Sequence, residues 1–188
     1  SPGLLDGVDA VLFDLDGTLL DTARDLVHAL HAVCAEEQQV APDAALAARY
    51  VSTGAVGLIR LAFGQADDAK VERLRGRLVT IYEQNLCVHT APYPGVSELL
   101  QHLTTSGIRW GVVTNKMRYL ALPIMEQLGL YANCASLVGG DTAAHNKPHP
   151  APIWHALEEM GVEPNKAMYV GDAEKDILAG KAAGICTV

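Results

Sequence analysis

No block of lysine or arginine interrupts this sequence, and the charge balance runs the other way. It carries 14 basic against 22 acidic side chains, a formal net charge of −8. That excludes nucleic acid and anionic membrane surfaces as partners, because both bind proteins through clustered positive charge. An anionic small substrate meets the same repulsion, so a phosphate site here must build its own local positive field. Also missing is any apolar run near the roughly 20 residues that a spanning helix needs. The opening, Ser1-Pro-Gly-Leu-Leu-Asp-Gly7, has neither the basic start nor the apolar stretch of a secretory leader. A soluble cytoplasmic protein is expected. The cysteines Cys34, Cys87, Cys134 and Cys186 form no close pair, which argues against a disulfide framework or a Cys-x-x-Cys metal site. Ligand spacing is absent among the seven histidines, and His28 and His31 are expected on a helix surface. There is no internal repeat and no low-complexity segment.

What is present is enough apolar material, 49% of 188 residues, for one good core or a core with a small appended unit. The chain has two textures. An apolar run over Val8–Phe13 reads as a strand. From Gly95 onward strands and helices alternate: a helix to Ser106, a strand over Trp110–Thr114, a helix over Leu120–Leu128 and a strand near Leu137-Val138. A helix over Pro150–Met160, a strand over Ala167–Val170, a helix over Ala173–Ala183 and a strand from Ile185 follow. Such alternation predicts an α/β fold, a mostly parallel sheet with helices on both faces. Between them, from Thr22 to Leu86, the sequence is rich in alanine and leucine at helical spacing, with no strand pattern. Thr22-Ala-Arg-Asp25 is expected to open the first of these helices as a capping box. The simplest reading is a helical insert after the first strand, lying over the strand ends as a lid. Cys186-Thr-Val188 stops inside a strand pattern, and the expectation is that further chain covers that edge.

Four polar clusters fall just after predicted strands. Asp14 and Asp16 stand where the first strand gives way to Gly17, whose turn directs backbone N–H groups, with Thr18, at a bound anion. A calcium loop does not fit, since Leu19 and Asp25 occupy the positions that need glycine and glutamate. Thr114-Asn115-Lys116 supplies a hydroxyl and an amide before a helix, as an N-cap or as a phosphate contact. Lys147 is framed by Pro148, Pro150 and Pro152. Gly171-Asp172 closes a strand, and Asp176 follows one helical turn later. In a parallel sheet these ends share one edge, so the clusters converge. Together they hold a nucleophilic carboxylate, an acid/base, hydrogen-bond donors, a fixed cation and oxygen ligands for Mg²⁺. That inventory suits phosphoryl transfer through an aspartyl-phosphate, with Asp172 reaching a metal and Asp176 orienting it or a water.

The run Phe13-Asp-Leu-Asp-Gly-Thr-Leu-Leu-Asp-Thr22 resembles the signature of the haloacid dehalogenase superfamily, and the likeness extends from Val8 to Val188. Val138-Gly-Gly-Asp141, the Lys-Pro-His-Pro stretch at Lys147 and Gly171-Asp…Asp176 resemble its phosphoglycolate phosphatase branch. The resemblance implies a Rossmann-like core, residues 1–20 and 91–188, with a mobile helical cap, 21–90. It implies that Asp14 attacks phosphorus and that Asp16 protonates the leaving oxygen and then activates water. Thr18, Thr114, Asn115 and Lys147 are implied to hold the phosphoryl group. Mg²⁺ would lie on the Asp14 carboxylate, the Asp16 main-chain carbonyl and Asp172. An acid at Asp16 sets the chain apart from the dehalogenases of the superfamily, and Thr18 favours a phosphatase over a sugar-phosphate mutase.

The expected partner is a small phosphorylated metabolite bearing a carboxylate, first 2-phosphoglycolate. The alternative is N-acetylmuramic acid 6-phosphate, because Val51–Gly64 and Trp110–Lys116 also resemble the phosphatases of that compound. A non-catalytic phosphate-binding module is the rival from another class. Specificity is expected from Ser52, Thr53 and Gly54, from Arg60, and from Lys116 and Arg118 facing the substrate carboxylate.

Overall fold

The computed structural model describes residues 5–188; Ser1–Leu4, where the leader reading began, lie outside them. In chain order the elements are β1 (Ala10–Phe13), β2 (Leu20–Asp21), α1 (Ala23–Glu36), α2 (Ala44–Ala48), α3 (Gly54–Ala62) and α4 (Asp68–Gln84). Then come β3 (Ala91–Pro92), α5 (Val96–Thr105), β4 (Arg109–Val113), α6 (Arg118–Gln127), β5 (Leu137–Val138), α7 (Ala151–Met160), β6 (Ala167–Val170), α8 (Glu174–Ala183) and β7 (Cys186–Thr187). Each predicted strand and helix of the alternating region forms, with ends shifted by a few residues.

All four side chains of β1 are buried, and a strand enclosed on both faces belongs in the middle of a parallel sheet. The order is β5–β4–β1–β6–β7, every pairing parallel. Phe13 pairs with Val112 on one side and Val170 on the other, which levels the carboxyl ends of the three central strands. The chain builds β4 and β5 on one side of β1, then returns to build β6 and β7 on the other. That reversal beside β1 is where open α/β sheets leave a crevice for ligands.

Alternation along the strands decides which helix covers which face. Ala10, Leu12, Val113, Ala167 and Tyr169 form one buried cluster with Ile153, Ala156 and Leu157 of α7 and Ala179 and Ala183 of α8. On the opposite face the Trp110 indole donates to Thr104 Oγ1 of α5 at 3.3 Å. The fold class is therefore the expected one, a Rossmann-type α/β sheet with helices on both faces.

The chain divides into two compact units, residues 1–19 with 92–188, and residues 20–91. Within the second, α1 and α4 bury Leu26, Leu30 and Val33 and Val71, Leu74 and Leu78. The first turn of α1 departs from the sequence reading. Thr22 makes no side-chain cap bond; the Asp21 carboxylate accepts the Ala23 N–H at 3.1 Å instead. Asp25 is buried and accepts the N–H groups of His89 and Thr90 and the Thr90 hydroxyl, the last at 2.7 Å. The returning segment offers this carboxylate three donors where the helix end offers one, so the buried position wins. The short strands β2 and β3, which pair with each other, were not expected; two residues are too few to show a period of two. Among the described residues no helix is long and apolar enough to cross a membrane.

Candidate active site

Asp14 stands one residue beyond β1, held there because its own N–H donates to the Val170 carbonyl at 2.9 Å. Its side chain is turned inward and only 4% of the residue is exposed. Oδ1 accepts the Leu15 N–H at 2.8 Å and lies 3.0 Å from Lys147 Nζ. Burial pushes the Asp14 carboxyl up to about 6, against the downward pull of the Lys147 ammonium. A carboxylate so poorly hydrated, beside one fixed cation, is a stronger nucleophile than one in water.

Lys147 has three N–H donors, and each meets a protein oxygen. Besides Asp14 they reach Asp176 Oδ1 at 2.7 Å and Tyr169 Oη at 2.6 Å. The lysine side chain is fully enclosed. Its main chain is gripped by Asn115, whose amide donates to the Lys147 carbonyl at 2.8 Å and accepts its N–H at 2.9 Å. Asn115 was expected to hold a phosphoryl oxygen; the geometry turns its amide to fastening the lysine loop against the end of β4. Asp176 is fully buried on the first turn of α8, and its second oxygen accepts the Ala173 N–H at 3.0 Å.

Tyr169 had no place in the sequence reading. Its hydroxyl receives the lysine hydrogen bond and donates to the Val113 carbonyl at 2.8 Å. Burial raises the phenol well above its ordinary value, with the nearby Asp14 and Asp176 adding to the shift. A signal was available: a tyrosine inside an enclosed strand must find a partner for its hydroxyl.

Asp172 and Thr18 meet at the same edge, the threonine hydroxyl donating to Asp172 Oδ1 at 2.9 Å. The turn between Asp16 and Thr18 requires glycine. Gly17 has φ +86°, and a Cβ there would lie 2.6 Å from Asp172 Oδ2. Asp16 pairs with Lys116, Nζ to Oδ1, at 2.5 Å, and the Lys116 N–H donates to Thr114 Oγ1 at 3.1 Å. Lys116 was expected to face substrate; in the structure it faces an acid of the site.

Oxygen atoms of Asp14, Asp172 and Asp176 lie within 4.8 Å of one another. Asp176 is already engaged by Lys147 and by Ala173, so Asp14 and Asp172 are the carboxylates left to face a cation. An all-oxygen donor set beside the Gly17 turn fits a hard divalent ion such as Mg²⁺.

The two arginines of the sequence reading are engaged elsewhere. Arg60 pairs with Asp68 and also donates to the Ala66 carbonyl, both within the helical unit. Arg118 donates to the Leu137 carbonyl and the Tyr131 hydroxyl, and its main-chain N–H is accepted by Asp141 at 2.6 Å. Ser52 and Thr53 lie in a 3₁₀ turn before α3, with Thr53 Oγ1 donating to the Tyr50 carbonyl at 2.5 Å and Gly54 at φ +77°.

Comparison with known proteins identifies the family of the chain. A family profile described as haloacid dehalogenase-like hydrolase matches residues 11–188. A phosphoglycolate phosphatase of Xanthomonas campestris is 43% identical over 179 residues, covering 95% of this chain and 81% of the relative. An N-acetylmuramic acid 6-phosphate phosphatase of Pseudomonas aeruginosa is 38% identical, covering 95% and 79%. Among solved structures, a predicted phosphoglycolate phosphatase from Haemophilus somnus superposes with a TM-score of 0.86 at 26% identity, over 96% of this chain and 84% of that one. Family profile, relatives and fold agree: this chain belongs to the haloacid dehalogenase-like hydrolase family, as one of its phosphatases.

Proposed function

We propose that the chain is a Mg²⁺-dependent, cytoplasmic phosphomonoesterase that works through an aspartyl-phosphate on Asp14. Its proposed substrate is a small phosphometabolite bearing a carboxylate, 2-phosphoglycolate first. One observation carries the reading: a buried carboxylate at the end of β1, Asp14, is set against a fully enclosed lysine 3.0 Å away at the sheet's switch point. Asp14 attacks phosphorus and the ester C–O–P bond breaks on the phosphorus side. Asp16 gives its proton to the departing alkoxide oxygen. Water then attacks the acyl phosphate while Asp16 takes back a proton, releasing phosphate and the free Asp14 carboxylate. Lys147, Thr114 and the turn at Thr18 hold the phosphoryl oxygens, and the Asn115 amide fixes Lys147 for that task. Mg²⁺ would rest on the Asp14 carboxylate, the Asp16 carbonyl and Asp172; when bound it offsets the negative charge gathered there.

One fact supports the substrate order: the Xanthomonas relative is 43% identical, the Pseudomonas relative 38%. The Pseudomonas relative supports N-acetylmuramic acid 6-phosphate as the second reading. Phosphate release from an aryl phosphate, with Mg²⁺ and with chelator, tests the reaction. A folded protein that releases nothing in Mg²⁺ overturns it and leaves a phosphate-binding module. Values of kcat/KM for the two named esters then decide between them.

A further inference from the structure

Two ammonium groups serve the four acids of this site, and they are held differently. Lys147 is enclosed and has all three donors on protein oxygens. Lys116 is paired with Asp16, and these side chains keep 7% and 15% exposure where those of Lys147 and Asp176 keep none. The lysine's main chain is fixed on both sides. Its N–H donates to Thr114 Oγ1, and its carbonyl accepts the Gly140 N–H at 2.8 Å. Gly140 lies so close to this loop that a Cβ on it would stand 2.4 Å from the Asn115 carbonyl. What can move here is the Lys116 side chain. Arg118 is turned away onto Leu137 and Tyr131 and does not compete for an incoming anion.

We infer that Lys116 holds Asp16 in a resting position and that a second anionic group on the substrate draws the lysine away, releasing Asp16 to serve the leaving oxygen. The inference rests on the phosphatase reading above and adds a selection step to it. Trading one carboxylate for another at the same ammonium changes the interaction energy little, so the exchange is open to an anionic group. A neutral substituent has nothing to trade, and Asp16 stays held. Selectivity for a carboxylate-bearing phosphomonoester then appears in kcat as well as in KM, because the unreleased acid fails in the transition state and not only in binding. Lys116 thereby acts as a specificity-determining residue through Asp16.

The test compares 2-phosphoglycolate with 2-hydroxyethyl phosphate, which replaces the carboxylate by a neutral hydroxymethyl group. In wild-type protein with Mg²⁺, kcat should favour 2-phosphoglycolate by about tenfold or more. Lys116→Met should lower kcat for 2-phosphoglycolate and raise it for the neutral ester, bringing the two within about threefold. Lys116→Arg, which keeps the charge, should retain the preference. Equal kcat values in wild type, with the whole difference in KM, overturn the inference without any variant. So does a Lys116→Met protein that loses both activities in proportion. In both cases phosphate is still released and the phosphatase reading stands. A folded wild-type protein that releases no phosphate from either ester or from an aryl phosphate overturns both.

Discussion

The Tyr169 hydroxyl lies 2.6 Å from Lys147 Nζ and donates its own hydrogen bond to the Val113 carbonyl of β4, two strands away. The phenol therefore links the lysine to the sheet backbone itself. Tyr169→Phe removes that oxygen, leaving one lysine N–H and one buried carbonyl without a partner. Each such loss costs about 1–3 kcal/mol. The expected result is a lower melting temperature and a kcat reduced by at least tenfold with KM little changed. A variant with unchanged kcat would assign Tyr169 to packing alone.

Asp14 gives a prediction with a defined sign. Its folded-state value, about 6, lies above the ordinary 3.8, so between these the metal-free native protein keeps a proton that the unfolded chain has released. Stability of the metal-free protein must then fall as pH rises through that window, and the cost persists above it. Asp14→Asn should abolish phosphate release and yet, in chelator at pH 7.5, be more stable than wild type by on the order of 2 kcal/mol. Thermal unfolding from pH 4 to 8 checks it. An unaltered pH profile in the variant would show that Asp14 is not the source.

Gly17→Ala introduces a Cβ at φ +86° and against Asp172 Oδ2. The expected outcome is displacement of Asp172, seen as a loss of the Mg²⁺-induced rise in melting temperature, together with weakened activity at low Mg²⁺ that high Mg²⁺ partly restores. Backbone strain alone would lower the melting temperature equally with and without the ion.

Asp25 makes a different kind of prediction, since it and its partners His89 and Thr90 all lie in the helical unit. Asp25→Ala leaves the His89 and Thr90 donors unpaired in a buried place, at a cost of roughly 3 kcal/mol. The melting temperature should fall by several degrees. Asp25→Asn, which keeps an acceptor, should recover part of the loss.

The alternating half was readable because its strands and helices carry opposite periods and because glycine or proline marks most of their ends. The convergence of Asp14, Lys147 and Asp172 was readable as well, since a parallel sheet brings every strand's carboxyl end to one edge. Side-chain partners were not. Asn115 binding the Lys147 main chain and Lys116 meeting Asp16 each join residues far apart in sequence. Asp25 was misassigned for the same reason: its donors arrive from residues 89 and 90, and no local pattern announces a contact across that distance. Tyr169 carried a clue, the hydroxyl in an enclosed strand, though nothing in the sequence names the lysine as its partner.

The level ladder at the head of β1 has a last consequence. Because Phe13 is in register with Val112 and Val170 together, the strand works as a reading frame for everything after it. One residue gained or lost between Ala10 and Phe13 would turn the acid that follows to the opposite side of the sheet, away from its lysine. The same change in the loop between α1 and α2 meets exposed or half-buried residues and no ladder. Inherited insertions and deletions should therefore collect in such loops and spare the four residues that set the frame.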